Sequence, residues 1–214
     1  MNRVNRLQSE RVRAVLDRLF AAAAIDSESH IDRPLAEMSS QERADALATQ
    51  YMPISEAGGK LLYGMIRSAR TATVVEFGTS FAISTIYLAS AVADNGAGHV
   101  YTTEMSLAKV ETARANLAEA GLAEYVTVLA GDALQTLAGI AGPIGIVLLD
   151  GWKDLYVPVL KSIEERLAPG ALVVADDSTF PSMAGYLAYI RDPANGYVSV
   201  DFPVEDGMEI SCRA

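Results

Sequence analysis

Cysteine is nearly absent from this 214-residue chain. Cys212 is the only one, so no intrachain disulfide can form and a reducing compartment suits the protein. Histidine is almost as scarce: His30 and His99 are the whole supply, neither in a ligand-spaced motif, and a zinc centre is not expected. Basic residues are outnumbered, 17 against 27 acids, and the formal charge of −10 argues against nucleic acid as a partner, because a phosphate backbone needs a basic face. The arginines crowded into positions 3–18 alternate with Val12, Val15, Leu16 and Leu19 at helical spacing, which reads as the solvated side of an amphipathic helix. No apolar run approaches ~18 residues, so no membrane span is expected. The opening residues lack the apolar h-region of a signal peptide, and cytoplasm is the expected location.

Several nucleotide and acyl-transfer signatures are missing as well. Gly58-Gly59-Lys60 looks like the tail of a P-loop, but Leu61 stands where Ser or Thr must hold Mg²⁺. No G-x-S-x-G elbow occurs, which removes the usual α/β-hydrolase reading.

What is present is ordinary globular composition, 50% hydrophobic and 21% charged, long enough for one sizeable domain. The first quarter reads as helical. Residues 4–24 form an amphipathic helix and 25–34 a loop; Ser39 with Glu42 makes a capping box for a short helix through Thr49. Ser55 caps a longer helix whose buried stripe is Leu61, Leu62, Met65, Ile66 and Ala69. From Thr73 the pattern alternates. Strands are expected at 73–77, 99–103, 125–129, 144–149 and 171–176, with helices near 82–93, 106–120, 132–138, 154–167 and 181–191. Gly121 and Pro169-Gly170 read as helix stops. Tyr197–Asp201 and Met208–Arg213 flank Glu205-Asp206-Gly207, a hairpin signal. The expectation is a single α/β domain over 1–214, with a helical cap at 1–70 and a sheet core at 71–214.

Thr73–Ala91 is the stretch around which this core is organised. An apolar strand ends at Glu76-Phe77-Gly78-Thr79-Ser80, and a helix follows, which places a ligand at the strand's carboxyl end against a helix N-terminus. A dinucleotide fingerprint needs a second glycine where Ser80 stands, and Glu76 would repel phosphate. S-adenosylmethionine fits better, since it carries an ammonium, a sulfonium and no phosphate.

Glu76-Phe-Gly-Thr-Ser-Phe-Ala-Ile-Ser84 resembles the first motif of class I methyltransferases, most closely the cation-dependent O-methyltransferases of the catechol and caffeoyl-CoA type. The resemblance runs from about Met52 to Ile210, with Ala82 where the family usually has glycine. It implies a Rossmann-like, doubly wound sheet of seven strands with an antiparallel terminal hairpin. It also implies a cofactor site made by Met52, Ile54, Glu76, Gly78, Thr79, Ser80, Ser84, Glu104, Met105, Asp132, Ala133, Asp150 and Trp152. Glu104, ending the second strand, suits the ribose hydroxyls; Asp132 could meet the adenine amino group or simply cap a short helix.

Leu149-Asp150-Gly151-Trp152-Lys153-Asp154-Leu155-Tyr156 resembles the Asp-His-Trp-Lys-Asp-Arg-Tyr stretch of the catechol enzymes, with Gly151 in place of the histidine. Ala175-Asp176-Asp177 stands where the family has Asp-Asn. Asp150, Asp176 and Asp177 meet at two strand ends, where three carboxylates would repel unless a hard cation joined them. Oxygen ligands suit Mg²⁺, Mn²⁺ or Ca²⁺. Asp150 and Lys153 are then the catalytic pair, with Lys153 as general base. No Asn-Pro-Pro-Tyr follows the fourth strand, so nitrogen methylation lacks its usual motif.

Two family features are replaced: the C-terminal glutamate that holds a catechol's second hydroxyl becomes Val200, and an aromatic gatekeeper becomes Gln50. The acceptor is therefore left open between a catechol-like phenol and a sugar or aliphatic diol. A homodimer is expected from the resemblance and from the apolar N-terminal helices. The alternative from another class is a cofactor-binding protein of the same fold without turnover.

Overall fold

The computed structural model describes residues 5–26 and 33–214. Residue 4 and most of the expected loop at 25–34 lie outside them. The first helix is interrupted. Residues 6–8 form a single 3₁₀ turn, and Ser9 then caps α1 (Glu10–Ala24), accepting from Val12 N at 3.3 Å. A serine free to bond the backbone beyond it starts a new helix, which hydrophobic periodicity alone does not reveal. Ser39 and Glu42 form the expected capping box at the start of α2 (Ser40–Ala46), which stops before Thr49. Ser55 caps α3 (Glu56–Ala69), whose buried residues are Gly58, Gly59, Leu62 and Ile66.

The sheet contains β1 (Thr73–Phe77), β2 (His99–Glu104), β3 (Val126–Ala130), β4 (Ile144–Leu149), β5 (Leu167–Asp176), β6 (Tyr197–Phe202) and β7 (Met208–Arg213). Its order is β3-β2-β1-β4-β5-β7-β6. The first five strands are parallel, and β7 enters antiparallel between β5 and β6. Between strands run α4 (Ile83–Asn95), α5 (Leu107–Ala120), α6 (Ala133–Thr136), α7 (Tyr156–Ile163) and α8 (Ala184–Ile190).

Alternate strand residues enter two cores, as a sheet covered on both faces requires. Val74 joins Leu16, Leu62 and Ile86 on the side of α1, α3, α4 and α5. Val75 and Phe77 join Tyr156, Leu160 and Tyr186 on the other side. The helical cap therefore shares its core with the sheet. α3 crosses α4 closely: a Cβ on Gly59 would lie 2.5 Å from the Tyr87 ring.

Two expectations are corrected. Pro169-Gly170 does not end a helix. α7 finishes at Ile163, and Pro169-Gly170 sits inside β5, at a register irregularity where Ile144 pairs Leu167 but Ile146 pairs Leu172. Proline's missing N–H and the positive φ of Gly170 (74°) suit such a bulge. The N-terminal arginines are not merely solvated. Arg11 donates to the carbonyls of Ala118 and Glu119, and Arg18 pairs with Glu119, so both cations meet the C-terminal end of α5.

Candidate active site

The order of the parallel strands reverses between β1 and β4, and a crevice opens at their carboxyl ends. Asp150 N donates to the Phe77 carbonyl at 2.9 Å, and a Cβ on Gly78 would run into the Asp150 carbonyl. Gly78 (φ +105°) is therefore required by contact as well as by conformation. Ser80 (φ 46°) and Ala82 (φ 69°) are left-handed without being glycine. Ala82 takes the capping position of α4 with no side-chain bond, which leaves that helix's first N–H groups without a side-chain acceptor.

Glu76 is fully buried beneath this loop. One carboxylate oxygen accepts from Thr85 Oγ1 at 2.5 Å; the other has no partner among the described residues. Burial pushes its pKa up to about 7, against the pull of the Ser84, Thr102 and Thr85 hydroxyls and with a further push from Glu104. At the end of β2, Glu104 accepts from Ser80 N at 2.8 Å and from Ser106 N at 2.9 Å, which fixes its carboxylate in one pose. Asp132 caps α6 through Leu134 N at 2.9 Å.

On the other side of the crevice, β4 and β5 end in acids. Carboxylate oxygens of Asp150, Asp176 and Asp177 lie within 4.8 Å of one another. Burial raises the pKa of Asp150 well above the usual carboxylate range, with Asp176 adding to the shift and Lys153 opposing it. Asp176 is raised to about 7, by burial first and then by Asp177. Asp177 holds a left-handed φ of 60°, an uncommon conformation for a residue with a Cβ. Lys153 Nζ lies 2.7 Å from Asp177 Oδ2 and 3.9 Å from Asp150 Oδ1, and donates to Tyr156 OH at 2.7 Å. Tyr156 in turn donates to the Asp176 carbonyl at 3.5 Å. Arg43 of α2 reaches across to Asp154 at 2.8 Å and over the Trp152 ring at 5.5 Å, joining the cap to this rim.

One cavity of about 500 Å³ connects the two ends. Met52, Ile54, Gly78, Thr79, Ser80, Ser84, Glu104, Met105, Asp132, Ala133, Asp150, Trp152, Lys153, Asp176 and Asp177 all line it. Glu76 is the exception, lying below the wall. Val200, half exposed on β6, and Gln50 do not line it; Phe180, Leu155 and Leu35 do. Sequence reading missed Lys109 and Phe81. A phase signal existed for the lysine, since position 109 falls on the buried face of α5 with Ala113, Asn116 and Ala120.

Residues 75–178 match the model of a methyltransferase domain family. A probable O-methyltransferase of Mycobacterium tuberculosis is 32% identical over 149 residues, 64% of this chain and 63% of that one. A catechol O-methyltransferase of the same organism is 33% identical over 135 residues, 63% and 60% of the two chains. The matched part thus spans about three fifths of these relatives' length. The solved structure of an O-methyltransferase from Streptomyces achromogenes, in complex with SAM, superposes with a TM-score of 0.66 at 23% identity, covering 96% of this chain and 99% of the other. That likeness concerns the fold.

Proposed function

We propose that the chain is a class I S-adenosylmethionine-dependent methyltransferase that moves a methyl group from S-adenosylmethionine to a hydroxyl of a small acceptor. One observation carries the reading. A single cavity joins a fixed acid, Glu104, to a partly buried cluster of three acids and a lysine, so a cofactor end and a chemical end share one space.

Glu104 accepts hydrogen bonds from the ribose hydroxyls, and its two backbone donors hold it ready. Asp132, Met105, Ala133 and Trp152 border the adenine; Met52 and Ile54 border the sulfonium methyl. Gly78, Thr79, Ser80 and Ser84 receive the methionine end, with the unpartnered oxygen of Glu76 beneath them.

Asp150, Asp176 and Asp177 would hold Mg²⁺, Mn²⁺ or Ca²⁺. The donor set is oxygen-only, and burial first, with repulsion between the neighbouring carboxylates second, raises the pKa values of Asp150 and Asp176; a cation would relieve the repulsion. When bound, the cation makes an acceptor hydroxyl more acidic and fixes its oxygen. As the neutral amine, with the cation on the carboxylates in place of its proton, Lys153 would receive the hydroxyl proton at Nζ, where Asp177 and Asp150 stabilise the resulting ammonium and Tyr156 orients it. Leu35, Met52, Leu155 and Phe180 supply apolar walls, consistent with a phenol as well as with the carbon face of a diol or sugar. The reading extends to a cytoplasmic homodimer, which light scattering would remove by finding monomer-sized particles alone.

Methyl transfer from labelled S-adenosylmethionine should be assayed across phenols, aliphatic diols and sugars, with and without excess EDTA. No product with any acceptor would end the transferase reading. Undiminished product in EDTA would end the metal-dependent part alone.

A further inference from the structure

Among the described residues, Lys109 is a buried ammonium without an ion-pair partner. The residue is 3% exposed and stands on the cavity wall. Its one contact at Nζ is the face of the Phe81 ring, 5.2 Å away; no hydrogen bond or ion pair to it exists among the described residues. Glu104 and Asp26 act on its charge from beyond ion-pair reach, and burial pulls its pKa below the usual lysine value. The other lysine on the cavity wall, Lys153, already has Asp177 at 2.7 Å. Burying an unpaired ammonium is costly, and a ring face offsets only part of that cost. Among the described residues no anion lies within ion-pair distance of Nζ, which leaves this charge on the cavity wall open to a ligand group.

The position narrows the choice. Phe81 belongs to the left-handed loop between Ser80 and Ala82, and its carbonyl is held by Asn116 Nδ2 at 3.0 Å. Lys109 therefore stands over the segment that leads into the uncapped N-terminus of α4. Under the cofactor assignment above, on which this inference rests, that segment receives the methionine end. S-adenosylmethionine carries one anion, its α-carboxylate.

We propose that Lys109 recognises this carboxylate, pairing with it through Nζ and making the pocket discriminate between a carboxylate-bearing cofactor and one that lacks it. The contact brings the cation its missing partner and takes a negative charge into a pocket otherwise rich in acids.

The test compares S-adenosylmethionine with its decarboxylated analogue by calorimetry on wild type, Lys109→Met and Lys109→Arg. Wild type should prefer the carboxylate-bearing ligand by tenfold or more. Lys109→Met should reduce that preference at least tenfold by losing affinity for S-adenosylmethionine alone, its affinity for the analogue staying within about twofold; Lys109→Arg should keep most of the preference. Equal loss of both ligands in Lys109→Met would make the lysine structural and overturn the proposal. So would a wild type that binds both ligands equally, a result that needs no variant to fold. A wild type that binds neither would instead overturn the cofactor assignment itself.

Discussion

The Phe77 ring fills the space that a side chain at Gly151 would need. A Cβ on Gly151 would lie 2.6 Å from both Cε1 and Cζ of that ring, which is 7% exposed and locked in the core beneath β1. The catechol enzymes that this stretch resembles carry histidine in the matching place; here a phenylalanine one strand away excludes it. Gly151→Ala should therefore destabilise the fold by about 1–3 kcal/mol, the usual size of overpacking. Urea unfolding of Gly151→Ala, Phe77→Leu and the double variant would check this, with the double variant less destabilised than the two singles added together.

Removing the Lys153 amine should separate binding from chemistry. Lys153→Ala is expected to leave cofactor affinity nearly unchanged and to cut turnover by ~10²-fold or more, as loss of a general base does. Turnover within a few-fold of wild type at neutral pH would reduce Lys153 to an ion-pair partner of Asp177.

Asp177 is the point where this chain carries a third carboxylate in place of an amide. Asp177→Asn should bind Mg²⁺ more weakly yet keep activity at saturating metal, because both side chains present an oxygen. Asp177→Ala should lose both. Mg²⁺ titrations of the two variants decide it, and equal affinity in wild type and Asp177→Asn would remove Asp177 from the charged ligands.

Glu76 should leave a mark on stability against pH. Its folded-state pKa of about 7 lies above the ordinary 4.5, so the folded chain holds its proton more tightly than the unfolded chain does. The stabilisation is complete below about pH 4.5 and is lost as pH rises through about 7. Glu76→Gln cannot ionise. Measured by urea unfolding without ligands, its stability relative to wild type should rise between pH 5 and 8 by a few kcal/mol at most. A flat difference across that range would mean the carboxyl is already ionised in the folded chain at pH 5.

Much of this architecture is legible from local chemistry. Ser39 and Glu42 announce their capping box, Ser55 its helix and Gly121 its left-handed stop, because each acts on backbone groups within four residues. Strand ends at Phe77, Glu104 and Leu149 follow from apolar runs that stop at small or acidic residues, and those ends set Gly78, Met105 and Asp150 on the cavity wall. What stays hidden depends on distant partners. Pro169-Gly170 looks like a helix stop until β4 runs beside it as a bulged neighbour. Lys109 looks like one more surface lysine until Phe81 and the cavity close around it. Glu76 keeps its place beneath the wall because Thr85, a helical turn into α4, holds it there.

The antiparallel entry of β7 also bears on how the protein is made. Residues 208–213 sit between β5 and β6, so β6, though synthesised first, reaches the rest of the sheet only through them. On the ribosome, the nascent chain must therefore wait with one flank of β5 unpaired until this strand emerges. An open parallel sheet with an unpaired apolar edge is prone to aggregate, so a chain truncated before residue 208 should aggregate where the full chain stays soluble.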